Sequence, residues 1–481
     1  MKSFIAAFLI LIATSMCIPA FAQSNAWDAL NDEALSLYGQ GNYDHGIVVA
    51  KKALQLAEQA KEPNHRSVAT SLNTLALLYD AQGQYAQAET LYKRSLAIRE
   101  EAQDTDQPDI AQSLSNLAEL YRTLGKYEQA ELLYKRALNI LEKSVGPDHA
   151  NVATILNGLG GTYENQGQYA QAEPLYKRAL AIDEKANDPN HRNVARSLNN
   201  LAELYRTQGK YEQAEPLYIR ALAIDETVLG PDHPAVGTIT NNLAELYRVQ
   251  GKFVQAEPLY IRSLAIKEKD YGPDHLSVSK SLNNLALLYY TQGRYEQAEP
   301  LYKRALAISE KALGPDHPGI ATSLNNLALL YKSQGQYELA TQFNERALAI
   351  REKTLGPNHP DVAFSLNNLS ALYRAEGHYA LAEPLAKRAL AIRENVLGPY
   401  HPDVAYSLRN LALIYNAEGE YALAEPLYKR ALAIREKALG KNHSDVATSL
   451  EDVANLYRKT GREKDAEELD KRVAAIRVIK Q

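Results

Sequence analysis

A glycine recurs at Gly41, Gly83, Gly125, Gly167, Gly209, Gly251, Gly293, Gly335, Gly377, Gly419 and Gly461, and every interval between them is 42 residues. No insertion breaks the register. A unit this short cannot bury its own apolar faces, but stacked copies share one continuous core, so a strict repeat specifies a solenoid. That removes the two to four separate globular domains that a length of 481 residues would otherwise suggest.

Within one unit Leu198, Leu201, Ala202 and Tyr205 recur at i, i+3, i+4, i+7, the apolar stripe of a helix. Gly209 ends that helix, because glycine adopts the left-handed C-terminal conformation without a side-chain clash. Tyr211, Ala214, Leu217, Tyr218, Ala221, Leu222 and Ile224 form a second stripe, closed by Gly230 and Pro231. Pro234 then falls near the first position of the next helix, where its missing N–H has no intrahelical partner to lose. At about 1.5 Å per residue the two helices are roughly 20 and 27 Å long. Small residues, such as Ala202 and Ala214, let the helices approach. Pro174, Pro216, Pro258, Pro300 and Pro426 fall in the first turns of second helices, where each removes a ladder bond.

The pattern L-x-x-L-A-x-x-Y, a glycine, then Y-x-x-A-x-x-x-Y-x-x-A-L resembles the tetratricopeptide repeat. The 42-residue form, with NNLALLY, GKYEQAEPLYKRALAI and LGPDHP, is similar to the repeats of kinesin light chains and their bacterial relatives. The resemblance implies an all-α, right-handed α–α superhelix of eleven helix–turn–helix units that binds other proteins. The units run 27–68, 69–110, 111–152, 153–194, 195–236, 237–278, 279–320, 321–362, 363–404, 405–446 and 447–481. The heptad coiled coil that couples a light chain to a motor is missing, so a motor role is not implied. The terminal units deviate as caps should: Glu33 replaces an apolar residue in the first, and Lys464, Asp465, Glu467, Glu468, Lys471 and Arg472 make the last helix polar.

The first 22 residues follow another logic. Lys2, the apolar run Phe4 to Ile12 and the small-x-small pattern Ala20-Phe21-Ala22 predict a signal peptide cleaved after Ala22. Residues 23–481 would then be exported, periplasmic or secreted, with no stable membrane insertion. Cys17 is the single cysteine and would leave with the signal; the residues before it lack a lipobox pattern. The balance of 53 Lys plus Arg against 58 Asp plus Glu gives no basic surplus, so no nucleic-acid partner is expected.

His65, His149, His191, His233, His275, His317, His359, His401 and His443 form a ladder, often with Asp or Asn just before. Equivalent positions in stacked units lie roughly 8–10 Å apart, whereas metal ligands converge to about 2 Å from one ion. Loop and cap hydrogen bonds are therefore the expected role. Gly158, Gly160 and Gly161 lie inside a helix pattern rather than in a phosphate loop, and no nucleophile elbow is present. A non-enzyme without cofactor or metal is expected.

With Leu198, Leu201, Ala202 and Tyr205 turned to the core, Asn199, Asn200, Glu203 and Arg206 face a groove lined by the first helices. The same register yields Asn116, Asn200, Asn242, Asn284, Asn326, Asn368 and Asn410, with a parallel row at Asn73, Asn157, Asn199, Asn241, Asn283, Asn325 and Asn367. An asparagine amide both donates and accepts, so this ladder either holds an extended peptide backbone or ties neighbouring helices together. Other tetratricopeptide superhelices hold ligand backbones with asparagines in this register, and the resemblance implies the same here.

Arg122, Arg206 and Arg248 have Glu119, Glu203 and Glu245 three residues earlier. From unit seven the glutamate place becomes Leu287, Leu329, Ala371 and Leu413, which leaves Lys332 and Arg374 without that partner. The groove is thus predicted to be polar in its first half and apolar with free cations in its second. A protein or peptide ligand with acidic and apolar residues would suit the second half. The competing expectation is a structural spacer in an envelope or secretion assembly, which binds through its ends or convex face.

Overall fold

The computed structural model describes residues 20–60, 65–102, 107–186 and 191–478. Most of the expected signal peptide, and the ring of His65, lie outside the described residues. Among the described residues there are twenty-two α-helices, one short 3-10 turn at Pro318–Ile320, and no strand. The chain forms two compact units, residues 1–105 and 106–481.

The first unit contains two helical hairpins, Ala20–Gly39 with Tyr43–Glu58 and His65–Ala81 with Tyr85–Glu101. Its core gathers Ala34, Leu37, Ile47, Val49, Ala50, Leu75 and Leu78. Trp27 donates from Nε1 to Ser71 Oγ at 2.7 Å, and Thr74 Oγ1 donates to Asn31 Oδ1 at 2.8 Å. Glu33 is exposed, as a capping helix requires.

The second unit contains nine hairpins, from Gln107–Thr123 with Tyr127–Ser144 to Ser444–Lys459 with Glu463–Val478. The fifth repeat is typical. Its first helix, Arg192–Thr207, starts where His191 is extended and accepts at Nδ1 from the Asn193 N–H at 3.2 Å. That bond satisfies one of the donors a helix start leaves open. The helix stops at Gly209, whose φ of 70° lets the Lys210 N–H reach back to the Tyr205 carbonyl at 2.8 Å. Leu198, Ala202, Ala214, Tyr218 and Ala221 are all fully buried between the two helices and their neighbours. The second helix, Tyr211–Leu229, runs through Pro216 without breaking.

His149, His191, His233, His275, His317, His359, His401 and His443 all take this same capping role. Each accepts at Nδ1 from the backbone N–H two residues on, a role open only to the tautomer that carries its proton on Nε2.

Three of these caps also close the coil of the second unit upon itself. His359 Nε2 lies 3.0 Å from the Thr123 carbonyl oxygen, and His401 Nε2 lies 3.1 Å from that of Asn165. A Cβ built on Gly209 would stand 2.5 Å from His443 Cδ2, so that glycine receives the third ring. The first helices of repeats three, four and five therefore meet the loops that lead into the first helices of repeats nine, ten and eleven, and six repeats complete one turn of the coil.

Candidate functional site

In repeat five the predicted groove residues Asn200, Glu203 and Arg206 share one stripe of the first helix with Arg196, at i+4, i+7 and i+10 from it. In repeats three, five and six this stripe is internally neutralised. Arg122 pairs with Glu119 and Arg206 with Glu203, while Arg248 donates to Glu245 from Nε at 2.7 Å and from Nη2 at 2.6 Å. A tyrosine from the second helix adds a third member: Tyr134, Tyr218 and Tyr260 donate to these same glutamates at 2.9, 2.7 and 2.6 Å. Burial is the largest influence and acts to raise the Glu203 carboxyl, but the hydrogen bond and charge of Arg206, together with the Tyr218 hydroxyl, outweigh it and hold the group below the usual range.

From repeat seven the carboxylate is missing. Leu287 stands where Glu203 would, and the Tyr302 hydroxyl, fully buried, has no acceptor. In repeat eight Asn344 replaces the tyrosine, and its buried Oδ1 has no donor. Lys332 donates to the Ala371 carbonyl at 3.2 Å, and Arg374 Nε is buried without a partner. Among the described residues neither cation belongs to an ion pair. Burial, then the neighbouring Arg374 charge, holds the Lys332 ammonium below its ordinary range. Leu329 is exposed and Leu287 half-buried.

The asparagine ladder has largely inward partners. Asn242 donates to Asn199 at 2.9 Å, Asn284 to Asn241 at 3.0 Å, and Asn326 to Asn283 at 3.3 Å. Asn410 donates to both Asn367 oxygens at 3.1 Å, and Asn116 accepts from Gln112 at 2.7 Å. The parallel row bonds forward to serines, as Asn157 to Ser197, Asn283 to Ser323 and Asn367 to Ser407. Apart from the Asn116–Gln112 bond, which stays within one helix, these amides tie successive layers together. Asn200 and Asn368 remain half-buried on the stripe.

A second basic feature escaped the sequence reading. From repeat four on, one register of the second helices runs Asp183, Asp225, Lys267, Ser309, Arg351, Arg393, Arg435, from acidic to basic, after Arg99 and Leu141 in the same register. The three arginines are buried on serine hydroxyls, Arg351 on Ser365 at 2.6 Å, Arg393 on Ser407 at 3.1 Å and Arg435 on Ser449 at 2.7 Å. Burial pulls all three guanidinium groups down from their ordinary value. Phe364 and Tyr406 are exposed on the groove stripe, with Arg351 and Arg393 at 5.5 and 5.4 Å from their ring centres. Lining the 42-residue units up position by position exposes this trend, because each alignment column reports one structural environment.

The tetratricopeptide repeat profile matches ten overlapping segments that together run from residue 28 to 477: 28–101, 82–143, 109–185, 151–227, 193–269, 236–311, 281–353, 320–395, 361–437 and 403–477. The chain belongs to the tetratricopeptide repeat family. Members of this family commonly mediate protein–protein interaction and are typically non-catalytic scaffolds. Among solved structures, this tetratricopeptide chain is similar to BtubC (BKLC) from P. vanneervenii, at 28% identity over 49% of this chain and 92% of that one, with a TM-score of 0.38. A Podospora anserina protein of nearly identical repeats, of the kinesin light chain type, matches at 26% identity over 43% of this chain and 97% of its own, with a TM-score of 0.37. A Rap protein complexed with competence and sporulation factor shares the fold at a TM-score of 0.51 and 14% identity, over 86% of this chain and 99% of that one. Among curated proteins, none matches the sequence.

Proposed function

We propose that this tetratricopeptide protein is a non-catalytic scaffold that holds an extended segment of a partner protein along its first helices. The observation that carries the reading is the missing carboxylate of the later repeats. Where Glu203 answers both Arg206 and Tyr218, repeats seven to nine offer Tyr302, Lys332 and Arg374 with no acidic side chain of their own. Of these, the Tyr302 hydroxyl and Arg374 Nε are buried donors without an acceptor, costly at about 1–3 kcal/mol each, while Lys332 has only the Ala371 carbonyl. A ligand carboxylate would supply the acceptor. Beside them, Leu287, Leu329, Phe364 and Tyr406 provide apolar surface, so an acidic segment with apolar or aromatic residues fits this half. The residue pattern of the first 22 positions supports export, and the proposed site of action is the periplasm or the exterior.

The test is a peptide-display selection against the chain starting at Gln23, followed by fluorescence anisotropy on the winners. The double variant Lys332→Ala, Arg374→Ala is the control, because it leaves the inter-layer asparagines intact. Acidic, aromatic-containing winners that lose affinity on the variant support the reading. Winners without acidic residues, or binding indifferent to the variant, would move attention to the ends and the convex face.

A further inference from the structure

Repeat four breaks the groove pattern at three adjacent stripe positions. Where repeat five has Asn200, Glu203 and Arg206, repeat four has Gly158, Gly161 and Glu164. Packing accounts for the first: a Cβ on Gly158 would stand 2.5 Å from the Tyr134 ring. It does not account for the second. A Cβ on Gly161 would meet only the Tyr176 hydroxyl, at an ordinary 3.5 Å. The missing side chains leave a recess of about 360 Å³ across the first helices of repeats three, four and five.

The walls of this recess carry three carboxylates, Glu119, Glu164 and Glu203, against one cation, Arg122. Arg122 is engaged by Glu119 and Arg206 by Glu203, so neither arginine is committed to Glu164. Among the described residues Glu164 belongs to no ion pair; it accepts one hydrogen bond, from the Tyr176 hydroxyl at 2.9 Å. Asn157 donates to Ser197, but its buried Oδ1 has no donor. A carboxylate and an amide oxygen lining one recess are completed by a group that brings several N–H donors and a positive charge.

We propose that the repeat-four recess is a binding site for a cationic side chain, a lysine ammonium or arginine guanidinium of the bound segment, with Glu164 as counter-ion and Asn157 Oδ1 as neutral acceptor. This rests on the groove reading above and adds that the ligand changes sign along its length, basic at repeat four and acidic beyond repeat seven. Burial pushes the empty Glu164 carboxyl up to about 7, against the pull of the Tyr176 hydrogen bond. A bound cation favours the ionised form, so affinity rises as pH rises through this value. The charged and titratable groups that face Glu164 are Glu203, Arg206, Arg122 and Tyr176, with Glu119 on the recess wall.

The probe is N-acetyl-arginine methylamide, compared with its uncharged isostere N-acetyl-citrulline methylamide, by saturation-transfer NMR on the full chain. The arginine compound should bind at least roughly tenfold more tightly, the scale of one charge-assisted hydrogen bond. Glu164→Gln should remove that preference. The pair Gly161→Glu, Glu164→Arg rebuilds the repeat-five pattern, which this fold already accommodates, and should abolish binding. Lys332→Ala, Arg374→Ala should leave it unchanged, so failure of the acidic-ligand reading and failure of this site give different results. No transfer to the arginine compound, equal binding of both compounds, or an unaffected Glu164→Gln variant would overturn the proposal.

Discussion

His401 reaches across 236 residues of sequence to place its Nε2 3.1 Å from the Asn165 carbonyl oxygen, while its Nδ1 caps the helix that begins at Pro402. The Nδ1 cap requires the neutral ring, whereas Nε2–H donates to the carbonyl in either protonation state. Burial holds His401 and His359 below their ordinary value, against the pull of Asp403 and Asp361 and with help from Arg393 and Arg351. A depressed folded-state value means that the unfolded chain takes up protons first as pH falls, so stability is present above about 6.5 and is lost below it, down to the folded value. Urea midpoints from pH 7.5 to 5.5 should fall less steeply for His359→Asn, His401→Asn than for the native chain, since asparagine caps without titrating. Parallel slopes would show that the rings do not sense pH.

A glycine that faces one of those rings and a glycine that faces none give a paired test. Gly167 has φ 67° and Gly293 has φ 73°, so alanine at either pays about 1–2 kcal/mol for the left-handed backbone. Around Gly293 nothing lies within 4 Å, whereas a Cβ on Gly167 would meet Pro402 Cδ at 2.7 Å and His401 Cδ2 at 3.0 Å. Gly167→Ala should therefore cost roughly 1–3 kcal/mol more than Gly293→Ala, or open the coil instead. Denaturation curves read the first outcome and small-angle scattering the second.

Glu203 and Leu287 occupy equivalent positions with opposite surroundings. Glu203→Leu would leave the buried Tyr218 hydroxyl without its acceptor and Arg206 with only Glu245, 3.9 Å away, at a cost of about 2–4 kcal/mol. Leu287→Glu would instead offer an acceptor to Tyr302, and its loss should stay within about 1 kcal/mol. Chemical denaturation of the two single variants measures the contrast directly.

Lys332 is held below its ordinary range by burial and by Arg374, with only a carbonyl for partner. Lys332→Met removes that charge while keeping the stem, so the fold should be no less stable. Affinity for an acidic peptide should nevertheless fall by roughly tenfold, one charge-assisted contact. Calorimetry on the same preparation gives both numbers. A loss of stability without a loss of affinity would make Lys332 a packing residue.

The helices, their ends and the histidine loops were legible because each repeat restates the same local chemistry: Leu198 and Leu201 set the core face, Gly209 the stop, and the residue before Pro234 the cap. The Glu203–Arg206 pairing followed from i, i+3 spacing alone. The tyrosine that joins it did not, since Tyr218 comes from the other helix and only packing brings its hydroxyl to Glu203. The ladder was legible as positions but not as contacts, because which way the Asn284 amide turns depends on how far apart the layers stand. Nothing periodic in the sequence places Thr123 beside His359, for that distance depends on the small rotation between repeats, summed six times.

A stack whose members touch only their neighbours unzips from its ends, one repeat at a time. The rings of His359 and His401 change that accounting. Fraying at repeat nine or ten also removes a contact from repeat three or four, so the loss is felt near the opposite end of the second unit. Melting there becomes less like a zipper and more like the release of a hoop, with the middle repeats held until the ring contacts let go.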